Sequence, residues 1–100
     1  MTVVPPSLEE LRRLKPRIDE IARENRVKSV RVFGSVARGT AHEGSDVDLL
    51  VTMEPRSTLL DLAGFEQALE AELMVKFDVV EEGGLHPLLE KEILSEAKAI

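Results

Sequence analysis

The stretch Val32–Val51, VFGSVARGTAHEGSDVDLLV, decides how the rest of the chain is read. An apolar, β-branched run stops at Gly34-Ser35. A short polar segment follows, and Asp46 and Asp48 then appear inside what otherwise reads as a buried strand. Side chains alternate faces along a strand, so the two aspartates point one way while Val47, Leu49 and Val51 point the other way, into a core. Like charges at that spacing repel unless a cation lies between them. Oxygen-only ligands on a firm strand suit Mg²⁺, which binds through one or two carboxylates plus substrate phosphates.

Residues on either side extend the pattern. Gly34 permits close approach of the backbone to a phosphate. Ser35 opens a short helix whose free N–H groups attract anions. Arg38, three residues on, is placed to bind phosphate oxygens bidentately, or to pair with Glu43 on the surface. Downstream, VKFDVV sets Asp78 between Phe77 and Val79, again an acid in an apolar strand. If that strand lies beside the one carrying Asp48, three carboxylates surround one or two metal ions. The alternative is a set of acids on the wet side of solvent-facing strands. Ten residues separate Ser35 from Asp46, so an anion cradle and a carboxylate pair form one phosphate-transfer site.

Periodicity supplies the frame. Ser7 and Glu10 make a capping box, and Leu8, Leu11, Leu14, Ile18 and Ile21 mark one helical face. Pro16 predicts a kink or a second helix starting near it and ending around Asn25. Val27–Phe33 reads as a strand, and SVAR as one or two helical turns stopped by Gly39. Thr40–Ser45 reads as loop and Asp46–Met53 as the second strand. A second long helix, with Ser57 as its candidate N-cap, carries Leu59, Leu62, Phe65, Leu69 and Leu73. Val75–Val80 is the third strand, and Pro87 opens a C-terminal helix, LLEKEILSEAKAI.

The order is α-β-α-β-α-β-α. The short link between strands one and two predicts an antiparallel pair, and the helical crossover makes strands two and three parallel. The expected fold class is α/β (α+β), with a small mixed sheet of about three strands flanked by helices. His42 reads as a surface loop residue and His86 as the residue before the last helix.

Composition narrows the function. The chain has 100 residues, enough for one domain with a real core. Hydrophobic residues at 43% argue against a disordered chain. With no cysteine there is no thiolate metal site and no disulfide framework. No signal peptide or membrane-length span is evident, so a cytoplasmic location is expected. The net charge of -6, with three Phe and no Trp or Tyr, disfavours nucleic acid as the main partner. One Asn, one Gln and abundant Glu and Arg lean toward a thermophilic source.

FGSVARG-TAHEGS-DVDLLV resembles the signature of the polymerase-β-type nucleotidyltransferase superfamily: a hydrophobic residue, Gly, Gly or Ser, a spacer, then two aspartates separated by a hydrophobic residue. KFDVV supplies the later acid at Asp78. The GS-x-ARG and SDxDL words look most like the minimal nucleotidyltransferases (MNT), and the resemblance runs from about Ser7 to Ile100. It implies a polymerase-β-like core spanning residues 1–100 as a single minimal domain. Asp46 and Asp48 would bind two Mg²⁺ ions (Mn²⁺ is the alternative). Asp78 would bind the catalytic ion and help deprotonate the attacking hydroxyl. Gly34 and Ser35 would hold the β and γ phosphates of a nucleotide.

MNT proteins pair with HEPN-domain ribonuclease toxins as antitoxins, and the family activity is transfer of AMP from ATP to a tyrosine of the toxin. The resemblance thus implies ATP and a HEPN protein as partners. Two other classes stay open: an antitoxin that neutralises by contact alone, and the catalytic subunit of a small-molecule nucleotidyltransferase. The acceptor, the preference for ATP and the oligomeric state are left open by the sequence.

Overall fold

β2 (Val47–Met53) organises the sheet because it pairs on both sides. The structure is a computed structural model and describes residues 4–100. β2 runs antiparallel to β1 (Val27–Phe33), with Phe33 opposite Asp48 and Val32 opposite Leu49. It runs parallel to β3 (Phe77–Glu81), with Val47 opposite Phe77, Asp48 opposite Asp78 and Leu49 opposite Val79. Both orientations match the sequence expectation.

Among the described residues the sheet has four strands, in the order β3-β2-β1-β4, where about three were expected. The additional strand, β4 (Lys98–Ala99), lies antiparallel to Arg31 and Val32 on the free edge of β1. The last helix, here α5 (Pro87–Glu96), therefore stops short of the C-terminus. Ala97 is extended, and Arg12 donates to the Ala99 carbonyl at 3.0 Å. An edge strand with unpaired backbone groups and a guanidinium beside it satisfies these residues better than two more helical residues would.

The N-terminal periodicity resolves into two helices. α1 (Leu8–Arg13) begins at the Ser7–Glu10 capping box, where both reciprocal bonds are present. α2 (Lys15–Glu24) starts one residue later, and Pro16 sits in its first turn, where a missing N–H costs nothing. α3 (Gly34–Arg38) is the short helix between β1 and β2, closed by Gly39 in the left-handed region. α4 (Leu59–Leu73) is the crossover helix, capped by Thr58 with Asp61 rather than by Ser57. Met74 ends it in the left-handed conformation, so β3 starts at Phe77 and not at Val75. β2 likewise starts at Val47, which leaves Asp46 just ahead of the strand.

The sheet's two faces differ in kind. One carries Val32, Val47, Leu49, Val51, Phe77 and Val79 into a core completed by Leu11, Ile18, Ile21, Phe65 and Leu69 from the helices. Each large apolar side chain buried there stabilises the fold by ~1.5–3 kcal/mol. The opposite face carries Phe33, Asp48 and Asp78 at one end. It is not a uniformly wet face, because Leu50, one step along from Asp48 on that side, is fully buried as well. Among the described residues no helix is long and apolar enough to cross a membrane.

Candidate active site

The site begins where β1 ends. Phe33 is extended, and Gly34 turns the chain into α3 with φ at 72°. That angle lies in the left-handed region, which a residue with a Cβ rarely adopts. A second constraint is steric. A Cβ on Gly34 would stand 2.2 Å from Asp48 Oδ2 and 3.1 Å from its carboxyl carbon. Glycine at this position therefore lets the Asp48 carboxylate lie directly against the backbone of the Gly-Ser turn. The sequence pattern suggested that the glycine makes room for a phosphate; the space its Cβ would fill belongs to Asp48.

Asp48 and Asp78 are direct partners in the parallel register, so they share the face opposite the core. Asp46 precedes the strand and is half-buried, whereas Asp78 is exposed. Asp48 records their combined field. Its carboxyl is raised from the ordinary aspartate value to about 6, first by burial, then by the charges of Asp78 and Asp46, with Arg38 opposing and Glu96 adding to the rise. Negative charge at this spot is thus short of compensation from the chain itself.

Among the described residues no three acids or histidines stand close enough to form a ready-made metal cage. The donor chemistry nevertheless fits a hard divalent cation. Mg²⁺ keeps several waters and takes one or two carboxylates plus substrate phosphates, which a side-by-side Asp48–Asp78 pair can supply without a closed cage.

The remaining expectations are placed as follows. Ser35 is half-buried at the second position of α3. Arg38 does not pair with Glu43 and is not free: its Nη1 donates to Glu96 Oε1 at 2.6 Å. Glu96 Oε1 also accepts from the Gly34 N–H at 2.7 Å. His42 is exposed, with Nδ1 2.8 Å from the Glu43 carbonyl. His86 caps α5, its Nδ1 accepting from the Leu88 N–H at 3.1 Å. Among the described residues neither histidine is hydrogen-bonded to an aspartate.

Three acids escaped the sequence reading. Glu96 is one. The others are Glu66 and Glu70 on α4, which face the outer edge of β3. Glu70 Oε2 accepts from the Phe77 N–H at 3.0 Å. Burial, followed by the charge of Glu70, raises the Glu66 carboxyl above the ordinary value, with the Val79 backbone opposing the rise. Their only sequence signal is the spacing of Glu66 and Glu70 on one helical face.

The site is thus a Gly-Ser turn against a strand aspartate, with a second aspartate in register on the next parallel strand. Comparison with known proteins supplies the family. The family described as "Nucleotidyltransferase domain" matches residues 11–100. A protein adenylyltransferase of Methanocaldococcus jannaschii is 39% identical over 84 residues, 84% of this chain and 90% of the relative. Protein adenylyltransferase MntA of Thermococcus cleftensis is 41% identical over 70 residues, 70% of this chain and 71% of the relative. A solved minimal nucleotidyltransferase superposes with a TM-score of 0.82 at 45% identity, covering 95% of this chain and 97% of that one. A toxin–antitoxin complex with AMP-PNP shares the fold at a TM-score of 0.72 and 23% identity, covering 85% of this chain and 70% of that one.

The chain belongs to the nucleotidyltransferase domain family, as one of its minimal (MNT) members. It is an enzyme of nucleotidyl transfer.

Proposed function

We propose that the chain moves AMP from ATP to a hydroxyl on a partner protein, and that it is the antitoxin which silences a HEPN ribonuclease in this way. The observation that carries this proposal is the register that sets Asp48 beside Asp78 while Gly34, lacking a Cβ, leaves room for the Asp48 carboxylate against the Gly-Ser turn. The names of relatives support the acceptor class: MntA of Thermococcus cleftensis is a protein adenylyltransferase. One solved structure of the same fold is a tri-AMPylated HEPN toxin of Shewanella oneidensis with its MNT antitoxin.

In this mechanism Gly34 and Ser35 receive the β and γ phosphates, and Arg38 takes a phosphate oxygen. Asp48 and Asp78, with Asp46 just ahead of β2, would hold Mg²⁺ or Mn²⁺, which when bound would offset the charge that builds on the attacking and leaving oxygens. Asp78, the exposed member, accepts the proton of the incoming hydroxyl. The hydroxyl oxygen forms a bond to the α-phosphorus in line, the α–β bridging bond breaks, and pyrophosphate leaves. No protein nucleophile takes part.

The acceptor arrives on another molecule. The chain has no tyrosine, so it cannot serve as its own tyrosine acceptor. Its net charge of -6 favours a partner with a basic surface over RNA. The 100 residues act as one catalytic domain in the cytoplasm. Intact-mass spectrometry of the chain, ATP, Mg²⁺ and a cognate HEPN protein is the test. One or more added AMP groups on the partner are expected. A partner left unmodified yet inhibited in a stable complex overturns the catalytic proposal in favour of contact alone. Labelling of a supplied antibiotic or RNA moves the acceptor to another class.

A further inference from the structure

The Gly34 N–H and the Arg38 guanidinium, both beside Asp48, are held by one carboxylate oxygen. Glu96 Oε1 lies 2.7 Å from the Gly34 nitrogen and 2.6 Å from Arg38 Nη1. These are short, charge-assisted bonds, and the Glu96 side chain is only 22% exposed. Like a phosphate oxygen, a carboxylate oxygen takes charge-assisted N–H bonds. We propose that Glu96 is a built-in competitor of the nucleotide's phosphates, so that it must leave Gly34 and Arg38 before the triphosphate can take them, and that this exchange sets the affinity for nucleotide. This rests on the assignment of Gly34 and Arg38 to phosphate binding made above.

Two physical points make the occupancy exclusive. A single N–H donates fully to one acceptor, so a phosphate oxygen and Glu96 Oε1 cannot both hold Gly34. The triphosphate also carries several negative charges into a spot where the charge of Glu96 already adds to the rise of the Asp48 carboxyl. Retaining Glu96 there would add repulsion as well as deny donors.

The surroundings allow the side chain to swing while the backbone stays. The Ala97 N–H bonds the Ile93 carbonyl at 2.9 Å on one side of Glu96. On the other, Lys98 Nζ donates to the Ala37 carbonyl at 3.0 Å, and β4 is paired to β1. A rotamer change of one glutamate is therefore sufficient, and neither α5 nor β4 needs to unfold.

The effect is an affinity tax on every phosphate ligand. If Glu96 holds the donors nine-tenths of the time, the apparent Kd is about tenfold weaker than that of the open site. Calorimetric titration of the full chain with Mg²⁺ and inorganic triphosphate, ATP or adenosine reads this directly. Glu96→Gln and Glu96→Ala are expected to tighten triphosphate and ATP by about tenfold and to leave adenosine unchanged. Weaker or unchanged triphosphate binding in the folded variants overturns the proposal, because Glu96 would then orient Arg38 or do nothing at the site. The unmutated chain gives a second reading: on adding Mg²⁺ and triphosphate, the NMR signal of the Glu96 side-chain carboxyl should move to that of a free carboxylate. A signal that stays in place while triphosphate binds also overturns it. Tighter triphosphate with no AMP on any partner would leave Glu96's role standing and remove the protein-acceptor proposal; AMP transfer with no tightening would do the reverse.

Discussion

Asp48→Asn should make the metal-free protein more stable and inactive at once. The size follows from the carboxyl's environment. An ordinary aspartate titrates near about 3.9, and Asp48 is raised to about 6, first by burial and then by Asp78 and Asp46. At 1.36 kcal/mol for each pH unit that gap corresponds to ~3 kcal/mol of penalty once the group is ionised. Asp48 is half-buried and screened on its open side, so ~1–2 kcal/mol is the expected net value. A raised acid binds its proton more tightly in the folded state. Stability is therefore full below the unfolded value, falls as pH rises from about 4 to about 6, and stays lower above that. Asparagine has the same shape and no charge, so it removes the penalty where the penalty exists.

Thermal melts of both proteins in EDTA between pH 4 and pH 8 are the assay. For a domain of this size ~1–2 kcal/mol is a rise in Tm of roughly 4–16 °C. The rise should appear at pH 8 and vanish near pH 4. Added Mg²⁺ should then stabilise the parent protein more than the variant, because it neutralises a charge that only the parent has. A variant no more stable than the parent at pH 8, or a gain equally large at pH 4, would refute an uncompensated charge at Asp48.

Gly34→Ala forces φ of 72° on a residue with a Cβ and drives that Cβ to 2.2 Å from Asp48 Oδ2, so the carboxylate must move. Nucleotidyl transfer should drop by ~10²-fold, against a loss nearer fivefold for Ser35→Ala, which removes one hydrogen bond worth ~1 kcal/mol; equal losses in a radiolabelled-ATP assay count against the close approach. Excess EDTA should abolish transfer and Mg²⁺ or Mn²⁺ should restore it, so full activity in EDTA removes metal from the mechanism. Phe65→Ala empties a fully buried position at the centre of the core and should cost ~3–5 kcal/mol by urea denaturation; a cost under ~1 kcal/mol would contradict that packing.

The parts of the site that the sequence disclosed are those written in local patterns. A β-branched run broken by Gly34-Ser35, and aspartates alternating with Val47 and Leu49, specify a turn and a two-faced strand within twenty residues. Strand directions follow from linker length, since five-residue α3 cannot make a crossover and fifteen-residue α4 can. Glu96 was hidden because it lies 62 residues from Gly34 and sits in an amphipathic helix where a glutamate needs no explanation. Arg38 was offered to Glu43 by nearness in sequence, but α3 turns it toward α5. β4 escaped because two residues carry no period, and only the free edge of β1 makes them a strand.

The alternation that builds the core also fixes the charges. Val47 faces Phe77 and Leu49 faces Val79 in the core, so the intervening pair, Asp48 and Asp78, has no choice but to face each other on the far side. A slip of one residue between β2 and β3 would turn an aspartate into the apolar core, a cost far above that of two like charges at the surface. Glu70 adds to this by accepting from the Phe77 N–H at the outer edge of β3, one residue before Asp78. The carboxylates are thus held on one face when no cation is present, and burial, followed by the charges of Asp78 and Asp46, keeps the carboxyl of Asp48 raised in the apo protein. Carboxylates already in position need no reorganisation when a cation arrives, which is the condition under which fixed charges are most effective on a developing transition state. The hydrophobic register that stabilises the apo fold thus also maintains an uncompensated charge at Asp48, which a proton or a cation relieves.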